Sequence, residues 1–290
     1  MIVIKRRLAG ILSYQRIFFA DEATLPSLIE SLRSNEIARV FHSSRRLAPG
    51  GSIIACERTF TVCNDLRQPL ERLWQGFAPY ARAEIRKAQR LGDRVRIACN
   101  ESADARDFLA VFNEFARLKD GVTPLSANAL ALYDHLADRV VLYLDGQPMV
   151  VNLVLRDRDS GRVRGLHNAS RRLTVDERRQ ARMLGNLNRL LHWDNMRRYK
   201  EAGFSTYDWG GIGERRDDGR SKFKMSFGGQ VQEEYTYLCA GWPRLGQIAN
   251  RLFGIPAARA RMARFLRPSD ELFRDARLAG HTSDGATHAR

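Results

Sequence analysis

The sequence predicts an α+β fold, a mixed and mainly antiparallel sheet flanked by helices. Three observations carry that expectation. The run RVVLYLDGQPMVVNLVLRDRDSGRVRGLHNAS at 139–170 is three strand-like segments joined by the turns Asp145-Gly146 and Asp159-Ser160-Gly161. A helix precedes that meander and another follows it. Phe108, Val111, Phe112, Phe115 and Leu118 keep helical spacing over 103–119, and Leu184, Leu187 and Leu191 do so in a long helix over about 176–202. Finally STYDWGG at 205–211 reads as a strand returning to the sheet.

The other elements follow in chain order. Residues 37–43 and 52–66 carry β-branched, partly alternating runs around the turn-forming Pro49-Gly50-Gly51. Pro69 opens a helix that is interrupted near Pro79 and stopped by Gly92. A short strand is expected at 94–99, and a second helix at about 126–138 leads into the meander. After Gly203 and the strand at 205–211, KFKMSFGGQVQEEYTYLCAG alternates like a terminal strand pair. Residues 241–267 look helical, and 279–290 have the composition of a disordered tail.

The chain has 290 residues and a formal net charge of +15, with only six Lys among 48 basic residues. That balance attracts an anionic partner such as RNA, a phosphate-bearing carrier or an anionic membrane surface. Arg interrupts every apolar run, so no membrane span is expected, and the first 23 residues do not form a signal peptide. Cys56, Cys63, Cys99 and Cys239 are scattered with no metal-ligand spacing, which predicts reduced thiols, no metal and a cytoplasmic protein.

From about 93 to 240 the order is strand, two helices, three-strand meander, long helix, strand, strand, the order of the GNAT acyltransferase fold. Within it, YDWGG at 207–211 and KFKMSFGG at 222–229 resemble the closing signature of the Fem-like branch, which includes the aminoacyltransferases that build peptidoglycan cross-bridges. RAEIRKAQRLG at 82–92 resembles the same family's Arg-rich entry helix, and the likeness spans roughly 70–237. It implies a reduced N-terminal lobe at 1–68 packed on a Fem-like GNAT domain at 69–240, then a basic helical extension at 241–278 and the tail.

In a GNAT fold the donor sits where two parallel strands splay, here expected to be 161–170 and 205–211. His167, Asn168 and Ser170 break the first of these strands at that point, either as site residues or as a polar strand end. The Arg182-Met183-Leu184-Gly185-Asn186-Leu187 run is the nearest match to a coenzyme A pyrophosphate turn, with Leu where a small residue belongs. Asn188, His192, Asn195 and Tyr199 form a polar stripe beside the leucines, which is either solvated or lines a cleft. Asp208, between Tyr207 and Trp209, is a candidate to orient or deprotonate an attacking amine, or else it shapes a turn. The resemblance places Phe223 and Lys224 at the active site, with the Lys ammonium as an oxyanion partner. Gly228 and Gly229 permit close backbone approach to a ligand, and Arg82, Arg86, Lys87 and Arg182 are the candidate phosphate contacts.

These readings predict transfer of an acyl or aminoacyl group from aminoacyl-tRNA, acyl-CoA or acyl-carrier protein to an amine or hydroxyl of a cell-envelope or polysaccharide precursor. The donor is a cosubstrate, and no tightly bound cofactor is expected. The alternatives are an acyl-CoA-dependent N-acyltransferase on a sugar or small amine, and a non-catalytic GNAT module in polysaccharide assembly. In the C-terminal segment Leu245, Ile248, Ala249, Leu252 and Phe253 share one helical face among Arg residues. Such a face either packs on the domain or docks at the inner face of the plasma membrane.

Overall fold

The structure, a computed structural model, describes residues 1–8, 12–48, 50–120, 122–213, 215–242 and 244. Its strands are β1 (Ile2–Leu8), β2 (Leu12–Phe18), β3 (Glu36–Ser43), β4 (Ile53–Asp65), β5 (Val95–Cys99), β6 (Ala137–Leu144), β7 (Gln147–Asp157), β8 (Arg162–Ser170), β9 (Thr206–Ile212) and β10 (Gln230–Ala240). The helices are α1 (Thr24–Glu30), α2 (Leu70–Gly76), α3 (Pro79–Gln89), α4 (Ala105–Leu118), α5 (Ala127–Ala131), α6 (Arg178–Glu201) and α7 (Gly219–Met225).

Local chemistry accounts for several boundaries. Asp145 and Gly146 both take positive φ, the geometry that lets a two-residue turn follow the twist of β6 and β7. Pro79 starts α3 where its missing N–H costs nothing, and the Asp104 side chain caps α4 by accepting from the Arg106 N–H. The KFKM run expected as a strand is helical. Asp218 accepts from the backbone N–H groups of Arg220 and Ser221, which nucleates α7, and only Gln230 onward is strand. The helix expected over 126–138 is a single turn or so, because β6 already begins at Ala137.

All ten strands of the described residues join one sheet in the order β1-β2-β3-β10-β4-β9-β8-β7-β6-β5. Neighbours are antiparallel except β2 with β3 and β8 with β9. Residues 1–68 supply four of these strands and are hydrogen-bonded into the sheet through β10 and β4. The sheet curls strongly. Ile2 and Ile4 of β1 and Phe18 of β2 share a core with Phe108 and Phe112 of α4 and Val151 of β7, and Arg16 of β2 donates to the Tyr133 hydroxyl at 2.7 Å. On the opposite face α2, α6 and α7 bury an aromatic core of Trp193, Tyr199, Tyr207, Trp209 and Phe227.

Gly228 and Gly229 serve this packing. Gly228 has φ +69, and a Cβ there would lie 2.1 Å from the Gly76 carbonyl oxygen; a Cβ at Gly229 would meet Val62 and Asn64. Gly228→Ala is therefore expected to cost ~3 kcal/mol or more, seen as a lower thermal midpoint or loss of soluble protein. The partner glycine has open space around it, so Gly76→Ala should leave the midpoint unchanged or raise it.

Candidate active site

The β8–β9 pair opens into a gap. Their register covers Arg162↔Thr206, Val163↔Tyr207 and Arg164↔Asp208, although β8 runs on to Ser170 and β9 to Ile212. Beyond that point β8 stays with β7, while Gly211 and Ile212 stay with Thr61 and Phe60 of β4. The parting has a local cause. Leu153 pairs with His167 but Val154 pairs with Gly165, so Leu166 is an extra residue, and the resulting bulge bends β8 away. Gly210 sits at the fork with φ +74, where a Cβ would lie 2.8 Å from the Gly165 oxygen.

Lys224 of α7 stands over this fork. Its Nζ donates to the Gly211 carbonyl at 2.8 Å and lies 3.7 Å from where a Gly210 side chain would begin. Burial, reinforced by the positive charges of Arg164 and Arg220, brings its pKa down to about 7. The ammonium is thus poorly compensated, a condition that favours a nearby developing negative charge.

The polar stripe on α6 is not solvated. His192, Asn195 and Tyr199 are buried against the sheet, and Asn188 is half-buried. His192 Nε2 lies 2.7 Å from Asn168 Nδ2, and its Nδ1 lies 3.0 Å from the Tyr207 hydroxyl. The imidazole packs against Trp209 with centroids 4.6 Å apart and against Phe223 at 5.6 Å. Burial first, then the charges of Lys224 and Arg189, hold its pKa down to about 3, so the ring is neutral. Asn168 is the exposed residue of β8 and lies on its diverged half.

The Asp208 carboxylate is fully engaged by hydrogen-bond donors. It is fully buried on the other face of β9; its Oδ2 accepts from Arg162 Nη2 at 2.6 Å and from Arg164, and its Oδ1 from the Thr61 hydroxyl and, at 2.8 Å, the Gly210 N–H. Both arginines also hold Glu234 of β10. With its oxygens so occupied, Asp208 clamps β4, β8, β9 and β10 and fixes the backbone of Gly210. The two arginines went unrecognised in the sequence, although their i, i+2 spacing within an apolar strand was the available signal.

His167 points away from the His192 cluster. Its ring packs edge-on against Phe112 at 4.9 Å, and burial together with Arg16 holds its pKa to about 3, too low for an effective base near neutrality. Ser170 ends β8 opposite Val150. Arg182 to Leu187 lie within α6, not in a turn, so their N–H groups are spent inside the helix. Arg182 is exposed there, on a helix that packs against α3. On α3, Lys87 is exposed, Arg86 lies over the Trp74 ring at 5.5 Å, and Arg82 donates to the Gln75 carbonyl at 3.0 Å. A further arginine missed in the sequence, Arg189, bonds Glu84 at 2.5 Å and the Ser226 hydroxyl at 2.6 Å, and lies 4.6 Å from the Phe223 ring.

Among the described residues no group of three or more His, Cys, Asp or Glu is placed to hold a metal ion, and no helix is long and apolar enough to cross a membrane. The C-terminal stripe from Leu245 lies outside the described residues.

Residues 78–225, just over half of the chain, match the family profile of the acetyltransferase (GNAT) domain. No curated protein matches the sequence. Among solved structures, FemX aligns with a TM-score of 0.58 at 13% identity, over 85% of this chain and 86% of that one. The C-terminal DUF2156 domain of a protein assigned as a lysylphosphatidylglycerol synthetase from Agrobacterium fabrum aligns with a TM-score of 0.52 at 14% identity, over 87% and 83%. At such identities the likeness is one of fold. The parted parallel strands and the matched segment around them lead to one assignment: the chain belongs to the GNAT family and is a GNAT-superfamily acyltransferase with a Fem-like fold.

Proposed function

We propose that the protein moves an acyl or aminoacyl group from a carrier to an amine or hydroxyl of a cell-envelope or polysaccharide precursor, with the reacting carbonyl held in the gap between β8 and β9. The observation that carries this reading is Lys224, a half-buried cation at the fork that is bonded to the Gly211 carbonyl beside Gly210 and has its pKa lowered to about 7. Attack on the carbonyl moves negative charge onto its oxygen, and the ammonium stabilises that charge more than it stabilises the neutral ground state. Phe223 and Asn168 both lie against His192 beside the fork. The basic residues Arg86, Lys87 and Arg182, on adjoining helices, suit the phosphates of an anionic carrier such as tRNA. The resemblance to cross-bridge aminoacyltransferases supports an envelope acceptor. So does the name of the Agrobacterium relative, that of an enzyme making an aminoacylated lipid. Action on such an acceptor would place the protein in the cytoplasm, in peripheral contact with the inner face of the plasma membrane.

One feature separates the possible donors. A coenzyme A pyrophosphate needs small residues at the N-terminus of the helix after the first splayed strand. The connection from β8 to α6 is Arg171-Arg172-Leu173-Thr174-Val175-Asp176-Glu177, with no glycine and with two carboxylates at the helix start. Calorimetry is accordingly expected to show weak or no acetyl-CoA binding, and tighter binding of aminoacyl-tRNA or acyl-carrier protein. A low-micromolar dissociation constant for acetyl-CoA, about −8 kcal/mol, overturns this and makes a CoA-dependent N-acyltransferase the better reading.

A further inference from the structure

Arg189 is a buried cation set among aromatic rings. Its guanidinium lies 4.6 Å from the centre of the Phe223 ring, 5.2 Å from that of Tyr80 and 5.5 Å from that of Phe227. Its Nε donates to Glu84 of α3, and its Nη1 donates to the hydroxyl of Ser226, the residue that follows α7. One side chain of α6 thus ties the Arg-rich helix α3 to the short helix that carries Lys224.

Stability alone does not call for a guanidinium at this position. The Glu84 side chain is 37% exposed, so without Arg189 its carboxylate turns to water. The Ser226 hydroxyl keeps its bond to the Phe223 carbonyl at 2.6 Å. The ends of α7 have other holds: Ser221 Oγ accepts from the Gly213 N–H at 3.0 Å, and the Ala78 N–H donates to the Ser226 carbonyl at 2.8 Å. Replacing a buried ion pair by a well-packed apolar side chain is commonly neutral or stabilising. What those holds leave open is the turn of α7 about its own axis. Phe223 precedes Lys224, about 100° away round the helix, so a shift of its ring turns Lys224 relative to the fork. Arg189 supplies one wall of the seat of that ring, and His192 at 5.6 Å and Phe227 at 5.5 Å supply others.

We propose that Arg189 is a positioning residue: by stacking on Phe223 and bridging Glu84 to Ser226, it holds α7 in the rotation that keeps Lys224 Nζ at the fork. The same bridge joins the helix proposed to meet the carrier's phosphates to the helix that meets the reacting carbonyl. Arg189 itself touches no substrate. This inference rests on Lys224 acting at the gap, but the placement of Lys224 can be measured without any substrate.

The primary experiment is competitive labelling of the full chain with acetic anhydride across pH, the Lys224 peptide being followed by mass spectrometry. It compares the native chain with Arg189→Met and Arg189→Lys. The native Lys224 amine is expected to titrate at about 7. In both variants α7 turns and the amine gains water, so its midpoint is expected to rise by about one pH unit or more. Arg189→Lys keeps the charge but cannot bond both partners while lying flat on the ring, so it separates position from charge. A rise in Arg189→Met alone assigns the effect to charge and overturns the proposal, as does no rise in either variant. Thermal midpoints are expected to stay within a few degrees of the native chain, and a collapse in both variants makes Arg189 structural and overturns the proposal. The second arm measures transfer to hydroxylamine from acetyl-CoA, an acyl-carrier-protein thioester and lysyl-tRNA. Each variant is expected to lower kcat about tenfold with the KM for hydroxylamine unchanged, and Arg189→Met added to Lys224→Ala to cost nothing further. Losses that multiply overturn the coupling. A native chain that transfers nothing from any donor counts against the acyl-transfer reading of the gap, and the labelling result still decides whether Arg189 sets Lys224.

Discussion

Replacing Lys224 by Ala is expected to lower turnover about 10²–10³-fold, the scale of losing one preorganised oxyanion partner. The thermal midpoint should hold or rise, because the change removes a half-buried cation whose pKa burial lowers and whose hydrogen bond goes to a backbone carbonyl. The pH dependence decides which form acts. A pKa near 7 leaves the amine about half protonated at neutral pH. If the ammonium stabilises the oxyanion, kcat falls as pH rises through 7; a kcat that rises there instead assigns the free amine as a base. Stability has its own sign. The folded pKa lies below the ordinary 10.5, so between about pH 7 and 10.5 the unfolded chain binds more protons, and this residue's contribution to stability grows with pH. Lys224→Met should flatten that dependence, as read by denaturant titrations at several pH values.

Removing the Asp208 carboxylate is expected to unsettle the fold first and the chemistry second. Asp208→Ala leaves the buried Arg164 and the half-buried Arg162 with one of their two shared carboxylates, and breaking a buried ion pair from one side costs about 3–5 kcal/mol. At roughly 2–4 °C per kcal/mol for a domain of this size, the midpoint should drop by some 6–20 °C. Asp208→Asn keeps the shape but donates where it should accept, and should lose a similar amount. A catalytic base would behave differently: Asp208→Asn would then retain its midpoint while kcat collapsed. Calorimetric scans alongside kinetics on the same samples separate the two, and intact stability with lost turnover would return Asp208 to the chemistry.

What was legible in the sequence is what local pattern encodes. The β6–β8 meander, α4 and α6 were marked by turn residues and periodicity within a few positions, and the parallel β8–β9 pair was implied by the resemblance to the GNAT element order. Both β1 and β2 were not, because Arg interrupts their alternation and their burial comes from contact with α4, some ninety residues on. The helix α7 was misread because Lys-Phe-Lys-Met alternates like a strand, while the decisive signal was the Asp218 cap just before it. The arginine partners of Asp208 lie 44 and 46 residues away, and the hydrogen-bond partners of His192 lie 24 and 15 away, so sequence could nominate these residues but not decide between base and clamp. Lys224 was nominated by resemblance, and its lowered pKa arises from burial that no local pattern displays.

The position of β10 between β3 and β4 governs when the molecule can be assembled. As the chain leaves the ribosome, β3 and β4 emerge nearly two hundred residues before the strand that joins them, and β4 waits almost as long for β9. Until then both present unpaired edges, the surfaces on which nascent chains stick to one another. The β5–β8 meander and its helices need no such wait, since their strands pair with immediate neighbours. Synthesis therefore completes one end of the sheet first, β5 to β8, and joins the N-terminal strands to it last. A product that stops before residue 206 would carry a formed meander, a β4 without its β9 and β10 partners and a β3 paired only with β2, a natural client for chaperones rather than a smaller working enzyme.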